Sequence, residues 1–240
     1  MSRFNGSQNI GDIVSILPKA GEIFKEYNID FCCGGNRPLA DAIREQHLDE
    51  TAILGKLEKA YEDASKFNSL DIDFRKMTMS ELTDYIVETH HNYLKKVLPE
   101  LGELTTKILR VHGKNHGDVL SRVHRLFHNL KTELEQHLIK EEEILFPMVK
   151  DYDKHPTAGL IDSINRVMNE TEAEHEAAGD ILKELRRITD QYWVPEDGCA
   201  TYRMTFKKLE ELETDLFQHI HLENNILFKT LELKLHNQKM

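Results

Sequence analysis

Cysteine is scarce in this sequence, three residues in 240, and two of them are the neighbours Cys32 and Cys33. Three cysteines make no disulfide framework, and adjacent cysteines bridge only with strain, so free thiols and a reducing compartment are expected. Proline (6) and glycine (12) are few as well, which excludes collagen-like and low-complexity chains and favours a helix-rich soluble protein. Positive charge is also short: the formal net charge is −11, with no Lys/Arg cluster. Neither nucleic acid nor an anionic membrane surface is therefore expected as a partner. No apolar run approaches the roughly 18 residues of a spanning helix. Met1-Ser2-Arg3-Phe4-Asn5-Gly6 lacks the apolar core of a signal peptide, so a cytoplasmic location is expected.

What is present is 40% hydrophobic residues, enough for a packed core, and 13 histidines, an unusual number. Ile10, Ile13, Val14, Leu17 and Ala20 give a helical stripe, with Pro18 predicting a break or kink. A second short helix, about Gly21 to Tyr27, ends at Asn28. Asp30-Phe31-Cys32-Cys33-Gly34-Gly35-Asn36-Arg37-Pro38 then reads as a turn. Helical patterns resume at Leu39–Gln46 and Asp49–Phe67. Residues 1–70 are thus expected to form a small helical domain displaying a thiol-bearing loop. Asn68 to Met79 reads as a polar linker. Ser80 is the expected N-cap of a long helix. Four long helices are predicted, at about 80–111, 116–150, 159–189 and 200–235, with short connections apart from Thr189 to Cys199. The fold class is all-α, and residues 78–240 are expected to form an up-down-up-down four-helix bundle.

The second domain carries a repeat. His137-Leu138-Ile139-Lys140-Glu141-Glu142-Glu143-Ile144-Leu145-Phe146 aligns with His219-Ile220-His221-Leu222-Glu223-Asn224-Asn225-Ile226-Leu227-Phe228. His, Glu, Ile, Leu and Phe coincide. Each copy has a histidine upstream on the preceding helix, His91 at 46 residues and His175 at 44. Residues four apart share a helix face, so His137 with Glu141, and His219 with Glu223, can reach one ion. Imidazole suits iron, copper or zinc, and a carboxylate can bridge two cations and offset their charge. A lone His-x-x-x-Glu is usually a surface pair. Two copies in matching apolar contexts, each with an upstream histidine, point instead to two metals bridged by Glu141 and Glu223, with open positions for a small ligand. The residue types also admit manganese or mixed metals.

The upstream ligand in the first copy is open between His90 and His91, which lie roughly 100° apart on the helix. Repeat spacing leans to His91. His221 is expected in solvent, and Glu142 and Glu143 on a solvated face. Leu134, Ile144 and Leu145 are expected around the ligand-bearing face. His124 and His128 are an i,i+4 pair without a matching carboxylate, and His112 and His116 read as helix-end caps. Glu133, one turn before His137, and Glu174, next to His175, are candidates for supporting or channel-lining roles.

The repeated His-x-x-x-Glu with Ile-Leu-Phe resembles the hemerythrin-like domain. Asp30-Phe31-Cys32-Cys33-Gly34-Gly35 with Pro38-Leu39 resembles the ScdA-type domain that precedes it in the iron-sulfur cluster repair, or repair of iron centres, family. The resemblance runs from Ile10 to about Leu235. It implies two non-haem irons, carboxylate- and oxo-bridged, held by His91, His137, Glu141, His175, His219 and Glu223; it selects His91 over His90. One departure is Lys229, which stands where the first copy has Pro147. The implied function is repair of iron-sulfur clusters damaged by nitric oxide or peroxide, by iron donation rather than as an enzyme. Damaged iron-sulfur proteins are the implied partners, nitric oxide or oxygen a ligand, and a homodimer the implied assembly. Cys32 and Cys33 are expected to transfer iron or touch a client, with turn amides favouring the thiolate. The competing readings are a gas-binding or sensing protein and a di-iron nitric oxide reductase.

Overall fold

The computed structural model describes residues 3–66 and 73–238. The end of the predicted helix at Phe67 and the first part of the linker, residues 68–72, lie outside them. The described residues form helices α1 (Ile10–Ile16), α2 (Ala20–Glu26), α3 (Leu39–Glu45), α4 (Glu50–Lys66), α5 (Met79–Ile86), α6 (Asn92–Lys140), α7 (Phe146–Lys154), α8 (Ala158–Ile188), α9 (Ala200–Leu222) and α10 (Lys229–Gln238). A 3₁₀ turn spans Phe74–Lys76. Three π-helical turns, Val87–His91, Glu141–Leu145 and Glu223–Phe228, interrupt the long helices.

Two compact units result, Met1–Leu82 with Phe217–Met240, and Thr83–Leu216. The division at 70–78 read from the sequence is thus drawn differently in space: the chain from Phe217 onward packs with the N-terminal helices. In this first unit Ile10, Ile13, Val14 and Leu17 are buried along one face of α1, as their spacing requires. Pro18 separates α1 from α2, and Leu17 before it is extended (φ −134°, ψ 89°), the conformation a following proline imposes. α2 stops at Asn28, whose φ of 54° lets the Ile29 N–H donate to Phe24 O at 2.8 Å; asparagine tolerates this left-handed closing position. The later segment contributes Phe217, whose ring lies 6.0 Å from that of Phe31, and Lys229, which pairs with Asp12 at 2.9 Å.

The cap expected at Ser80 belongs to Thr78. Its Oγ1 accepts the Glu81 N–H at 3.1 Å while Glu81 Oε2 accepts the Thr78 N–H at 2.8 Å. Thr78-Met79-Ser80-Glu81 is a capping box, in which each side chain satisfies the other's backbone.

The second unit is the bundle proper. α6 folds back on itself at His116 (φ −126°, ψ 23°). Thr106 Oγ1 lies 3.0 Å from His124 Nε2 and 3.5 Å from His128 Nε2; in a straight helix the first pair would stand about 27 Å apart. The two halves of α6 are therefore the first two bundle helices, and α8 and the start of α9 are the others. His112 and His116 do not cap the helix end. His112 Nε2 lies 3.2 Å from Cys199 Sγ, a contact that brings the exposed thiol down to about 7, and His116 Nε2 lies 2.8 Å from Asp197 Oδ1. Between α8 and α9, half-buried Arg186 donates its Nε–H to Glu213 Oε1 at 2.8 Å, and a second guanidinium nitrogen lies 2.8 Å from Glu213 Oε2.

Candidate metal centre

Three helices of the bundle unit deliver four side chains to one point. His91 closes the π turn 87–91, Glu141 opens the π turn 141–145, His137 stands one turn before Glu141, and His175 lies in the middle of α8. A π turn admits one extra residue, so it re-aims the side chains that follow it; such turns concentrate at functional sites. The Glu141 carboxylate oxygens lie 3.3 Å from His91 Nε2, 3.2 Å from His137 Nε2 and 3.8 Å from His175 Nε2. His137 Nε2 and His175 Nε2 are 3.1 Å apart. All four residues are buried, Glu141 completely. Ligand atoms of His137, Glu141 and His175 lie within 4.8 Å of one another.

The hydrogen bonds on the far side of the rings say what belongs at the centre. His91 Nδ1 lies 2.8 Å from Glu142 Oε1, and His137 Nδ1 lies 2.8 Å from Glu174 Oε2. A carboxylate only accepts, so each Nδ1 carries the proton and each Nε2 offers a lone pair. Glu142 Oε2 in turn takes Lys95 Nζ at 2.7 Å, and Glu174 takes Lys140. The hydrogen bond from His137 holds the Glu174 carboxyl down at about 2 against the opposing effect of burial. Nε2 lone pairs thus face the oxygens of a buried carboxylate. That arrangement demands positive charge, and the gap between His137 and His175 has room for only one proton on the facing nitrogens. The donor set fits a transition-metal cation.

His90 is not in this group. Its Nδ1 lies 3.0 Å from Asp215 Oδ1, on a neighbouring face. Glu142 is not simply solvated, since its carboxylate reaches His91 across the bundle, whereas Glu143 is exposed. Glu133 is exposed. Ile144, expected near the ligand face, is 49% exposed, because the π turn it occupies breaks the 3.6-residue rhythm, while Leu134 and Leu145 remain buried.

In the other unit, His219 and Glu223 form the same i,i+4 pair, Nε2 to Oε1 at 3.1 Å, both fully buried. Glu223 opens the third π turn, as Glu141 opens the second. Lys229 in place of Pro147 leaves that turn intact, so proline is not its cause. His221, expected in solvent, is buried: its Nε2 lies 3.4 Å from Ser15 Oγ and its ring lies 6.1 Å from Phe31. Burial lowers it to about 4, so it is a neutral packing residue.

Cys32 and Cys33 sit in the same unit, with sulfurs 3.6 Å apart. The turn amides do not favour a thiolate here. The N–H groups of Cys32, Cys33 and Gly34 all donate to Asp30 Oδ1 at 3.1 Å. The hydrogen bond with Cys33, burial and the Asp30 charge raise the Cys32 thiol well above its ordinary value. Asn225, a residue the sequence reading did not single out, anchors the loop: its Nδ2 donates to Phe31 O at 3.2 Å and Cys32 O at 2.9 Å. Gly11 and Gly35 make room for it, since a Cβ on either would come within 2.5–2.6 Å of Asn225 Oδ1. The available signal was an asparagine in the second repeat copy, next to its apolar run, where the first copy has Glu143. Asn225→Ala removes two bonds to buried carbonyls, worth about 1–3 kcal/mol, so Cys32 should alkylate roughly tenfold faster than in the parent. An unchanged labelling rate would mean that the loop is held by other contacts.

Comparison with known proteins places these features. Residues 82–231 match the family model described as "Hemerythrin HHE cation binding domain". Residues 6–61 match the ScdA_N domain, described as a domain of unknown function. The chain is 34% identical to the iron-sulfur cluster repair protein YtfE of Enterobacter sp. (strain 638) over 221 residues, 92% of this chain and 94% of that protein. Proteins of the same description from Shigella boydii serotype 4 (strain Sb227) and Escherichia coli O1:K1 are 34% and 33% identical over the same shares.

Proposed function

The chain belongs to the hemerythrin HHE cation-binding family, in the branch of the iron-sulfur cluster repair proteins, and on that premise we propose that it carries two iron ions as cargo and gives iron to damaged clusters. The family resemblance implies His91, His137, Glu141, His175, His219 and Glu223 as the residues that would hold them. The observation that carries this reading is the buried Glu141 carboxylate, met by three imidazoles at 3.2–3.8 Å, with the matching His219–Glu223 pair on the last repeat. Bound iron supplies the labile metal that a cluster short of iron needs. The protein's own part is to keep Nε2 lone pairs aimed inward, through Nδ1–H bonds to Glu142 and Glu174, and to keep bulk water from the buried ligands.

A donor fits the ligand types better than a permanent store does. Imidazole and carboxylate release iron more readily than the thiolates of an iron-sulfur site hold it. On this reading the protein is a repair factor for clusters damaged by oxidative or nitrosative stress, not an enzyme. It acts in the cytoplasm, as a homodimer, with nitric oxide or oxygen as a ligand of the irons. Among the described residues no helix is long and apolar enough to cross a membrane.

The test uses an acceptor whose four-iron cluster has lost one iron. Restoring it takes one ferrous ion and one electron, the electron coming from an added reductant. Iron-loaded protein should restore the acceptor in the presence of a chelator that traps free iron. No restoration, with iron retained, would favour gas binding. In the same assay Cys32→Ala/Cys33→Ala should keep its iron and lose transfer, whereas undiminished transfer would confine the two cysteines to packing.

A further inference from the structure

His91 is fully buried, yet two hydrogen bonds connect it to solvent. Its Nδ1 meets Glu142 Oε1 at 2.8 Å, and Glu142 Oε2 meets Lys95 Nζ at 2.7 Å. The Glu142 side chain is 26% exposed and that of Lys95 49%. Consecutive residues of one turn therefore stand at the two nitrogens of one ring, Glu142 accepting the Nδ1–H and Glu141 facing the Nε2 lone pair at 3.3 Å. Phe146, from the helix that follows, stacks on the ring face with centroids 5.6 Å apart and planes 23° apart. Tautomer, tilt and rotation of His91 are all set by residues 141–146. The weak member is the outermost one: a half-exposed lysine–carboxylate contact is screened by salt and exchanges with water.

We propose that Glu142 and Lys95 form a solvent-facing clasp on His91 that sets how long the iron at that histidine is kept. Glu142 is a positioning residue acting through His91, and Lys95 holds Glu142 in place. When Lys95 lets go, Glu142 is free to turn outward, and the imidazole loses the partner that fixes its orientation. This rests on the reading that the chain carries iron. His137 has its own carboxylate, Glu174, so the Glu142 clasp governs one iron and not both.

The test follows iron loss from the loaded, full-length protein to a ferrous chelator, alongside its optical spectrum. E142Q keeps the size of the side chain and removes its charge. It should lose one iron about 10–100-fold faster than the parent, the usual scale for a partner behind a ligating histidine, while the other iron leaves at the parent rate. The absorption of the loaded site should shift. K95M, which leaves His91 and Glu142 in place, should speed the same phase about threefold, a smaller effect because its contact is half-exposed. E143Q, on the exposed side of the same turn, should match the parent in rate and spectrum. Parent-like loss and spectrum in E142Q would overturn the clasp while leaving the iron reading standing. If E142Q does not fold, a parent-like rate in K95M overturns it instead. A parent protein that takes up no iron would overturn the iron reading, and the clasp with it.

Discussion

Glu141→Ala is expected to lower bound iron from about two ions per chain to about one or fewer, the largest loss of any single ligand change in this unit. Glu141 is the meeting point of the bundle unit. Three imidazoles from three helices converge on its carboxylate, and it has no exposure to water. Replacing any one histidine removes one donor. Replacing Glu141 removes a buried carboxylate, and with it charge that offsets two cations. Metal analysis of the purified protein reads the result directly. Circular dichroism should remain helical, because alanine favours helix and the change removes a buried charge. Glu141→Gln separates charge from size: it should also fall below the parent. Parent-like iron in both variants would take Glu141 out of the ligand set.

The second large effect concerns the scaffold that holds α8 against α9. Arg186 donates its Nε–H to Glu213 Oε1 at 2.8 Å and sets a second guanidinium nitrogen 2.8 Å from Oε2, with Glu213 fully buried. Truncating one member of such a pair strands the other charge in low dielectric, at about 3–5 kcal/mol. Glu213→Ala should therefore lower Tm by roughly 10 °C for a chain of this size. The paired replacement Arg186→Met/Glu213→Leu removes both charges and should recover most of that loss. Thermal unfolding of the parent and the two variants gives the comparison. A single variant as stable as the parent would show that Arg186 reaches water easily from its partly exposed position.

Much of the centre was legible because helical spacing has chemical meaning. His137 with Glu141, and His219 with Glu223, lie one turn apart, and duplication of the pattern separates a ligand set from a surface ion pair. The choice of His91 over His90 was different: periodicity placed the two 100° apart without saying which face met the other helices. In the structure His91 meets Glu141 and His90 meets Asp215. Spacing names the face a residue occupies, never what stands opposite it. For that reason Glu142, read as solvated, proved to reach His91, and His221, read as exposed, lies buried beside Ser15. Asn225 was invisible for the same reason, since its partners, Phe31 and Cys32, are nearly 200 residues away in sequence. The π turns explain Ile144, because an extra residue per turn shifts a side chain off the face that a 3.6-residue period predicts. The turn at His116 and the long helices before and after it were legible from pattern. The grouping of the chain beyond Phe217 with α1 and α2 was not, because it depends on close approach at Gly11 and Gly35.

The central claim is most directly tested by measuring the iron content of the protein as purified from cells, before any reconstitution. The account predicts about two irons per chain, ligated by imidazole and carboxylate, falling to about one or fewer in Glu141→Ala. Protein that holds no iron, or holds another metal at the same stoichiometry in preference to it, would contradict the account.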